Sequence, residues 1–171
     1  AHRVQREFCT TVSAYGLTES WAMATTGFPH ETDEQRCETS GFPMPGYEVK
    51  IVDGETGADL PNSVPGEILV RGYLVMHGYY QEPEKTAEVI DEEGWLHTGD
   101  MGFIRDDGYV RFLGRYKDML KVGGENVDPM ETEGLLLDHP AVHQVAIVSL
   151  PDPQLTEVPV AFVEKTPGTE A

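Results

Sequence analysis

The sequence predicts an α+β fold, in which a small antiparallel sheet or distorted β-barrel precedes a shorter segment of one helix and two strands. Two observations carry this prediction. Between residues 39 and 114, short runs of alternating apolar and polar residues are separated by turn signals rich in glycine and proline, which is typical of antiparallel strands. After residue 117, a capped helical run is followed by two apolar runs with strand character.

Composition describes an acidic protein with enough apolar residues to form a packed core. The 171 residues carry a net charge of −18, which argues against nucleic acid and anionic membrane surfaces and favours small-molecule or protein partners. No apolar run approaches the roughly 20 residues that a transmembrane helix needs. Cys9 and Cys37 match no disulfide framework or metal-site spacing, which indicates reduced thiols and a cytoplasmic location.

Local patterns predict each element of the first ninety residues. Alternating runs indicate strands, a polar stretch with Pro and Gly indicates a loop, and Pro83 suits the first turn of a helix. The predicted elements are strands at residues 8–14, 47–52 and 66–71, a loop at 29–46, a turn at 53–57 and a surface helix at 82–90.

The elements that follow rest on stronger local signals. Asp107-Gly108 between two alternating runs predicts a hairpin over residues 103–112. Asp128 is a good N-cap, Pro129 suits the first helical position, and Glu131 completes the pattern of a capping box. The remaining predictions are a turn at Thr98-Gly99-Asp100, a strand at 118–122, a tight loop at Gly123-Gly124, a helix that ends before Pro140, and strands at 142–150 and 158–163.

Three groups of polar residues have chemistry that suits a nucleotide. Thr18 and Glu19 follow the flexible Gly16 and offer a hydroxyl and a carboxylate, suited to a phosphate oxygen and its hard cation. Asp100 could accept two hydrogen bonds from a vicinal diol such as ribose. The residues alone also allow simpler interpretations, a surface turn at Thr18 and a turn-capping role for Asp100. The third group is a cationic cluster in this acidic chain: Arg105, Arg111, Arg115, Lys117 and Lys121.

Several segments together resemble adenylate-forming enzymes, the superfamily of acyl-CoA synthetases, luciferases and peptide-synthetase adenylation domains. The resemblance rests on Tyr-Gly-Leu-Thr-Glu-Ser at 15–20, Gly-Trp-Leu-His-Thr-Gly-Asp at 94–100, Gly-Arg-Tyr-Lys-Asp at 114–118 and Gly-Gly-Glu-Asn at 123–126, in the family's order. It implies a fragment that holds the end of the large AMP-binding domain, residues 1–116, and the first part of the small C-terminal domain, residues 117–171. The Gly-Gly-Glu-Asn segment is more similar to the acyl-CoA synthetase (fatty-acid–CoA ligase) branch than to carrier-loading adenylation domains.

The resemblance implies a role for each matching residue, with ATP, Mg²⁺, CoA and a carboxylic acid as ligands. Tyr15 and Gly16 would line the adenine site, Thr18 would meet the α-phosphate, and Glu19 would hold Mg²⁺. Asp100 and Arg115 would bind the ribose and phosphate. Lys117 would be the hinge between domains, while Lys121, Gly123 and Gly124 would serve the thioester step near the pantetheine arm of CoA.

The resemblance also implies that these 171 residues alone are inactive. The family's phosphate-gripping loop would precede Ala1, its catalytic lysine would follow residue 171, and Lys165 has no matching context.

Two alternatives to a CoA ligase stay open, a domain that loads a carrier protein and a non-catalytic structural or binding fragment. Residues 21–24 would border an acyl pocket, or Trp21 would pack in the core. The sequence identifies neither the acid substrate nor the oligomeric state, and self-association as a homo-oligomer stays open.

Overall fold

The chain folds into two compact units in a computed structural model that describes residues 1–168, apart from the side chain of Asn126. The first unit is Ala1–Leu113, and the second begins at Gly114. The sequence prediction put the domain boundary between residues 116 and 117. The first unit contains two antiparallel sheets, and the second contains one.

Short helices and antiparallel strands build the first unit. Its helices are α1 (His2–Glu7), α2 (Asp33–Glu38) and α3 (Pro83–Val89). Its strands are β1 (Ala14–Tyr15), β2 (Thr25–Thr26), β3 (Phe42–Pro43), β4 (Tyr47–Val52), β5 (Gly66–Gly72), β6 (Leu96–Ile104) and β7 (Val110–Arg115), of which β7 runs into the second unit. Strands β1–β3 form one small sheet in sequence order, and β4–β7 form the other. This arrangement confirms the predicted α+β fold with a small antiparallel sheet.

The core of the first unit lies on β5, whose central residues Ile68, Leu69 and Val70 are at most 2% exposed. Both faces of this strand are therefore covered. One face contributes to the main cluster, and the other packs Leu69 with Trp95. The buried members of the main cluster are Tyr15, Ala24, Tyr47, Ile51, Ile68, Val70 and Val110. Because Tyr15 belongs to this cluster, the first motif of the candidate site is anchored in the core.

Most of the predicted elements in this unit are confirmed. Strands β4 and β5 occupy the predicted positions, α3 lies inside the predicted helix, and β6 and β7 form the predicted hairpin. The turn after β4 is built by Asp53, whose Oδ1 accepts hydrogen bonds from the backbone N–H groups of Glu55 and Thr56. These interactions also lower the pKa of Asp53.

The strand predicted at residues 8–14 is wrong. Within it only Ala14 enters a ladder, pairing with Thr26, and the segment before it follows helix α1. Phe8 is 78% exposed, so its alternation with small residues does not mark a buried face. A strand needs a partner of matching length, and β2 offers only two residues.

The loop predicted at residues 29–46 is also wrong, because it contains α2 and β3. Thr32 and Gln35 form a capping box at the start of α2, with the Gln35 N–H donating to Thr32 Oγ1 at 3.2 Å. Arg36 lies in this helix, buried, and donates to Asp33 Oδ1 at 2.5 Å and to the carbonyl oxygen of Pro29 at 3.0 Å. The Thr-x-x-Gln spacing is a helix-start signal that the polar composition obscured.

Side-chain interactions link the α2 region to the β6–β7 hairpin. The Tyr109 hydroxyl donates to Glu31 Oε1 at 2.6 Å, and an Arg105 guanidinium nitrogen donates to Glu34 Oε1 at 2.8 Å. Burial, and then the hydrogen bond to Glu31, raise the pKa of Tyr109 from 10.0 to about 12. The protonated phenol is therefore favoured in the folded chain.

This shift predicts an alkaline loss of stability that Tyr109→Phe should reduce. Because the folded pKa lies above the ordinary value, the contribution of the phenol is fully present below about pH 10 and is lost as the pH rises towards about 12. Urea unfolding at pH 8 to 11, followed by circular dichroism, should show a shallower alkaline decline in the variant than in the wild type. Tyr80→Phe, at an 87% exposed tyrosine, is the control, and an equal effect in both variants would contradict the prediction.

The second unit consists of a four-stranded sheet and helix α4. Its elements are β8 (Leu120–Val122), β9 (Glu125–Val127), α4 (Pro129–Leu137), β10 (Val142–Asp152) and β11 (Thr156–Lys165). The sheet order is β10-β11-β8-β9, and α4 packs against β10. The predicted helix, the Gly-Gly loop and the strands at 142–150 and 158–163 are confirmed, and β10 extends to Asp152 in a long hairpin with β11. The strand predicted at 118–122 is confirmed only from Leu120, because Asp118 belongs to a 3₁₀ turn, and β9 was not predicted.

Asp128 caps α4 as the sequence predicts. Its Oδ1 accepts a hydrogen bond from the Met130 N–H at 2.8 Å, and Pro129 occupies the first helical position. Replacing Asp128 with Ala should therefore cost about 1 kcal/mol of local stability. Hydrogen exchange of the α4 amides should accelerate roughly fivefold. Asp138→Ala, at the other end of the helix, should not accelerate this exchange, since an acidic side chain there opposes the helix dipole and its removal does not weaken the helix.

Two composition-based expectations can be compared with the structure. In the part of the chain that is described, no helix is long and apolar enough to cross a membrane. Cys9 is exposed, Cys37 is partly buried, and both are free thiols.

Candidate functional site

Tyr15 and Asp100, which are far apart in sequence, meet in the first unit. The Tyr15 hydroxyl donates to Asp100 Oδ2 at 2.8 Å. Both side chains are buried, with exposures of 8% and 4%. A carboxylate has about four lone-pair positions, and this hydrogen bond uses one of them. The structure thus joins two motifs that the sequence assigned separately to the adenine and the ribose of a nucleotide.

Asp100 is held by a bulge in strand β6. Glu67 pairs with Met101 and Leu69 pairs with His97, so that Ile68 alone faces the three residues 98–100. Gly99 has a φ of +68°, a backbone conformation that favours glycine. The turn predicted at Thr98-Gly99-Asp100 is therefore wrong. Strand β6 begins at Leu96 and continues beyond the motif, so these three residues form a bulge within a strand.

The Tyr15 ring is packed on one face against Phe112 of β7. The two ring centroids are 5.8 Å apart, and the planes are inclined by 25°. Stacking on Phe112 fixes the plane of the Tyr15 ring, and the hydrogen bond to Asp100 fixes the position of its hydroxyl. Phe112 lies in the predicted hairpin, but nothing in the sequence indicated its contact with Tyr15.

Gly16 is required by close packing within the chain. A Cβ atom at this position would lie 2.5 Å from the carbonyl oxygen of Ala22, which leaves no room for a side chain. A short 3₁₀ turn, Thr18–Ser20, follows, and its Ser20 is fully buried with its carbonyl oxygen accepting from the Tyr47 hydroxyl at 2.7 Å. Thr18 itself is exposed. The buried side of this loop is therefore held by Ser20, while the side chain of Thr18 is exposed to solvent.

Glu19 has a partner that the sequence did not indicate. The Tyr79 hydroxyl donates to Glu19 Oε1 at 2.9 Å, and the Met76 N–H donates to the carbonyl oxygen of Glu19 at 2.7 Å. The hydrogen bond to Glu19 is the main cause of a raised pKa at Tyr79. Glu19 Oε2 does not take part in the hydrogen bond with Tyr79, so the carboxylate presents a second oxygen of the kind that Mg²⁺ binds.

No cluster of three or more metal-ligating side chains occurs among the residues that the structure describes. A single carboxylate is nevertheless sufficient for Mg²⁺ at a nucleotide, because phosphate oxygens and water supply most of its ligands. Glu19 fits this role by its chemistry and by its half-buried, oriented side chain.

Trp21 does not pack in the core, so the core-packing interpretation of this residue is wrong, and the acyl pocket stays a prediction. Its side chain is 74% exposed and its φ is +54°, whereas Ala24 is fully buried. Met23 is also exposed. In the segment after Glu19, the apolar side chains of Trp21 and Met23 are therefore exposed, while Ala24 anchors the segment in the core.

Arg115 and Lys117 lie at the start of the second unit. Arg115 ends β7 and precedes the 3₁₀ turn Tyr116–Asp118, in which Lys117 is exposed. The Met119 N–H donates to the carbonyl oxygen of Arg115 at 3.1 Å and closes this turn. The residue predicted to be a hinge thus occupies a short, solvent-facing turn next to the boundary at Gly114.

Lys121, Gly123 and Gly124 share one hairpin in the second unit. The two glycines connect β8 to β9 with φ values of +61° and +91°, the combination that two-residue hairpins require. The Lys121 side chain is exposed, while its N–H donates to Glu157 Oε2 at 2.7 Å. Gly124 has open space where a Cβ atom would lie. The turn geometry alone accounts for the two glycines, and the open surface leaves room for close approach by a ligand.

Two family models match the chain. A model described as "AMP-binding enzyme" matches residues 1–80, and one described as "AMP-binding enzyme C-terminal domain" matches residues 131–171. The matches fall on either side of the boundary between the two units.

Curated relatives cover most of this chain at high identity. The 4-coumarate--CoA ligase 4 of Arabidopsis thaliana is 42% identical over 157 residues, which are 91% of this chain and 28% of the relative. The 4-coumarate--CoA ligase-like 1 of the same plant is 46% identical over 156 residues, which are 90% of this chain and 29% of the relative. The chain therefore spans less than a third of the length of these relatives.

Solved structures of similar proteins contain nucleotides. The o-succinylbenzoate CoA synthetase MenE of Bacillus subtilis, in complex with its acyl-adenylate intermediate OSB-AMP, aligns with a TM-score of 0.88 and 29% identity over 99% of this chain and 34% of that chain. ATP-bound MatB of Rhodopseudomonas palustris aligns with a TM-score of 0.83 and 35% identity over 94% of this chain and 31% of that chain.

Proposed function

Because the chain belongs to the AMP-binding, adenylate-forming enzymes, we propose that it supplies nucleotide-binding residues of an ATP-dependent acid:CoA ligase. The hydrogen bond between Tyr15 and Asp100 carries this proposal, because it unites two motifs that resemble the adenine and ribose segments of that family. The identity to 4-coumarate–CoA ligases supports CoA as the acceptor.

The proposed reaction has two steps. An oxygen of the substrate carboxylate attacks the α-phosphorus of ATP, the bond to the bridging oxygen breaks, and pyrophosphate leaves to give an acyl-adenylate. The sulfur of CoA then attacks the acyl carbonyl carbon, AMP leaves with the bonding electrons, and the thiol proton is released. The result is a thioester and AMP.

In the first step, the residues of the first unit orient the nucleotide. Asp100 accepts hydrogen bonds from the ribose hydroxyls, Tyr15 packs beside adenine, and the Thr18 hydroxyl donates to the α-phosphate. Glu19 would hold Mg²⁺, and its side chain is oriented by the hydrogen bond from Tyr79. Bound Mg²⁺ supplies positive charge that neutralises the phosphate oxygens.

In the second step, the residues of the second unit act around CoA. Arg115 contacts the ribose and phosphate of the nucleotide. Lys117 takes up the change in backbone angles when the domains move, because a hinge needs only a few residues at the ends of elements. Lys121 and the Gly123-Gly124 turn face the pantetheine arm. The exposed Lys121 side chain and the open space at Gly124 support this assignment.

We propose an aromatic acid of the 4-coumarate type as the substrate of the whole protein, since ligases of that name are 41–45% identical to this chain. The exposed Trp21 and Met23 side chains provide an apolar surface next to the nucleotide residues. This aryl acid differs from the fatty acids of the branch that the motifs suggested. A cytoplasmic location is part of the proposal, supported by the two free cysteines.

The proposal is tested by titrating the 171-residue chain with a non-hydrolysable 4-coumaroyl-adenylate mimic in a calorimeter. Saturable binding is expected, with no binding of a mimic that lacks the adenosine. A chain that is folded by circular dichroism but does not bind would overturn the proposal. We also expect no acyl-adenylate formation from ATP by these 171 residues, because they contain no Ser/Thr/Gly-rich phosphate-gripping loop. Turnover would refute that second expectation alone.

A further inference from the structure

Glu67, on strand β5, clamps the bulge that carries Asp100. Its side chain is only 15% exposed, and both carboxylate oxygens are used. Oε1 accepts the Gly99 N–H at 3.1 Å, and Oε2 lies 3.1 Å from His97 Nδ1. The carboxylate therefore binds the chain on both sides of Thr98, directly before Asp100.

The bulge needs this clamp, because its backbone leaves the regular ladder. Ile68 faces three residues of β6, so the Gly99 N–H has no ladder partner in the regular register and Glu67 provides one. Thr98 adds a second attachment, since its hydroxyl donates to the Ile68 carbonyl oxygen at 2.7 Å and accepts from the Asp100 N–H at 3.1 Å. A shift of one residue in a strand moves each side chain to the opposite face of the sheet. Loss of the clamp would therefore misdirect Asp100.

We propose that Glu67 is a positioning residue for the nucleotide, acting through the Gly99 amide to direct the Asp100 carboxylate towards the Tyr15 hydroxyl and the ribose. This inference rests on the proposed function, because it assumes that Asp100 binds a nucleotide. Glu67 itself touches no ligand in this scheme. His97 is the second residue that Glu67 orients, and its Nε2 lies 4.0 Å from Asp91 Oδ2.

The first test measures the bulge without any ligand. The Gly99 amide resonance of the 171-residue chain should shift in Glu67→Ala, and its hydrogen exchange should accelerate about tenfold or more as its acceptor is removed. Glu67→Gln keeps an oxygen that can accept from Gly99 and should preserve the slow exchange. Glu48→Ala is the matched control, because Glu48 lies on the adjacent strand β4 and accepts two hydrogen bonds from Arg71, yet has no contact with the bulge.

The second test measures affinity for the adenylate mimic. Glu67→Ala should weaken binding about tenfold or more, while Glu67→Gln and Glu48→Ala should stay within about twofold of the wild type. If Glu67 acts through Asp100, the same change made in an Asp100→Asn background should cause little additional loss, because the two effects share one pathway. A merely stabilising role would lower affinity equally in both backgrounds.

The outcomes separate the inference from the proposed function. An unchanged Gly99 amide in Glu67→Ala overturns the inference, whatever the ligand result. If the wild type binds the mimic and Glu67→Ala binds it with equal affinity, the inference is overturned and the proposed function stays intact. The same holds if Glu67→Ala causes the same fold loss of affinity in the Asp100→Asn background as in the wild type. A folded wild-type chain that binds no adenylate overturns the proposed function, and the nucleotide role of Glu67 falls with it.

Discussion

Replacing Asp100 with Ala is expected to lower the affinity of this chain for the acyl-adenylate mimic by about 100-fold or more. A hydrogen bond to a charged group contributes roughly 1.5–3 kcal/mol, so two bonds from the ribose diol account for at least about 3 kcal/mol. The contribution lies at the upper end because Asp100 is 4% exposed and water competes little for its oxygens. Isothermal titration calorimetry measures the change.

Three further variants make this experiment specific. Asp100→Asn keeps the volume and an oxygen for the Tyr15 hydroxyl but removes the charge, so an intermediate loss of about tenfold is expected. Asp106→Ala removes an exposed carboxylate from the neighbouring hairpin turn and should not alter binding. Tyr15→Phe removes only the hydrogen-bond donor and tests whether the pair acts together. Affinity of Asp100→Ala within about twofold of the wild type would contradict the assignment of Asp100.

Replacing Ile68 with Ala is expected to destabilise the first unit by about 2–5 kcal/mol. Ile68 is fully buried in the middle of β5, where it packs among the main core cluster. Truncation removes buried apolar surface and leaves a cavity, and both effects destabilise the fold. A domain is typically stable by only about 5–15 kcal/mol, so the loss is a large fraction of the total.

The tryptophans make this measurement selective for the first unit. Both tryptophans of the chain, Trp21 and Trp95, lie in that unit, and Trp95 is buried beside Leu69. Urea unfolding followed by tryptophan fluorescence therefore reports its stability without the second unit. Val64→Ala, at a residue 39% exposed in the loop before β5, is the control and should cost less than about 0.5 kcal/mol. A loss below about 1 kcal/mol in Ile68→Ala would show that β5 is not the centre of the core.

The core and the candidate site are coupled at Ile68. Its carbonyl oxygen accepts the Thr98 hydroxyl, which in turn binds the Asp100 amide. A backbone shift in β5 is therefore transmitted to Asp100 through two hydrogen bonds. We expect Ile68→Ala to weaken adenylate binding as well as stability, whereas the effect of Asp100→Asn should be mainly on binding.

The sequence by itself determined the elements whose causes are local. The N-cap at Asp128 acts on an amide two residues away, and the Gly123-Gly124 turn needs positive φ at adjacent positions. The hairpin around Asp107-Gly108, the alternation of β4 and the apolar run of β5 are equally local. The helix α2 also has a local cause, the Thr32–Gln35 capping box, but the polar residues, Pro and Gly around it are typical of a loop and indicate one. The candidate residues themselves could also be named from the chain order of the motifs.

Only the tertiary structure decided which of these residues meet. Tyr15 and Asp100 are 85 positions apart, Glu19 and Tyr79 are 60 apart, and Glu67 reaches Gly99 across 32 positions. No local pattern encodes such pairs, because their members lie on different elements. The register of β5 and β6 places Glu67 beside Gly99, whereas Tyr15 lies on β1 of the other sheet and Tyr79 lies in the loop before α3. Whether Thr98-Gly99-Asp100 forms a turn or a bulge likewise depends on the strand opposite it, since three residues can face one only when the rest of the ladder holds both ends in place.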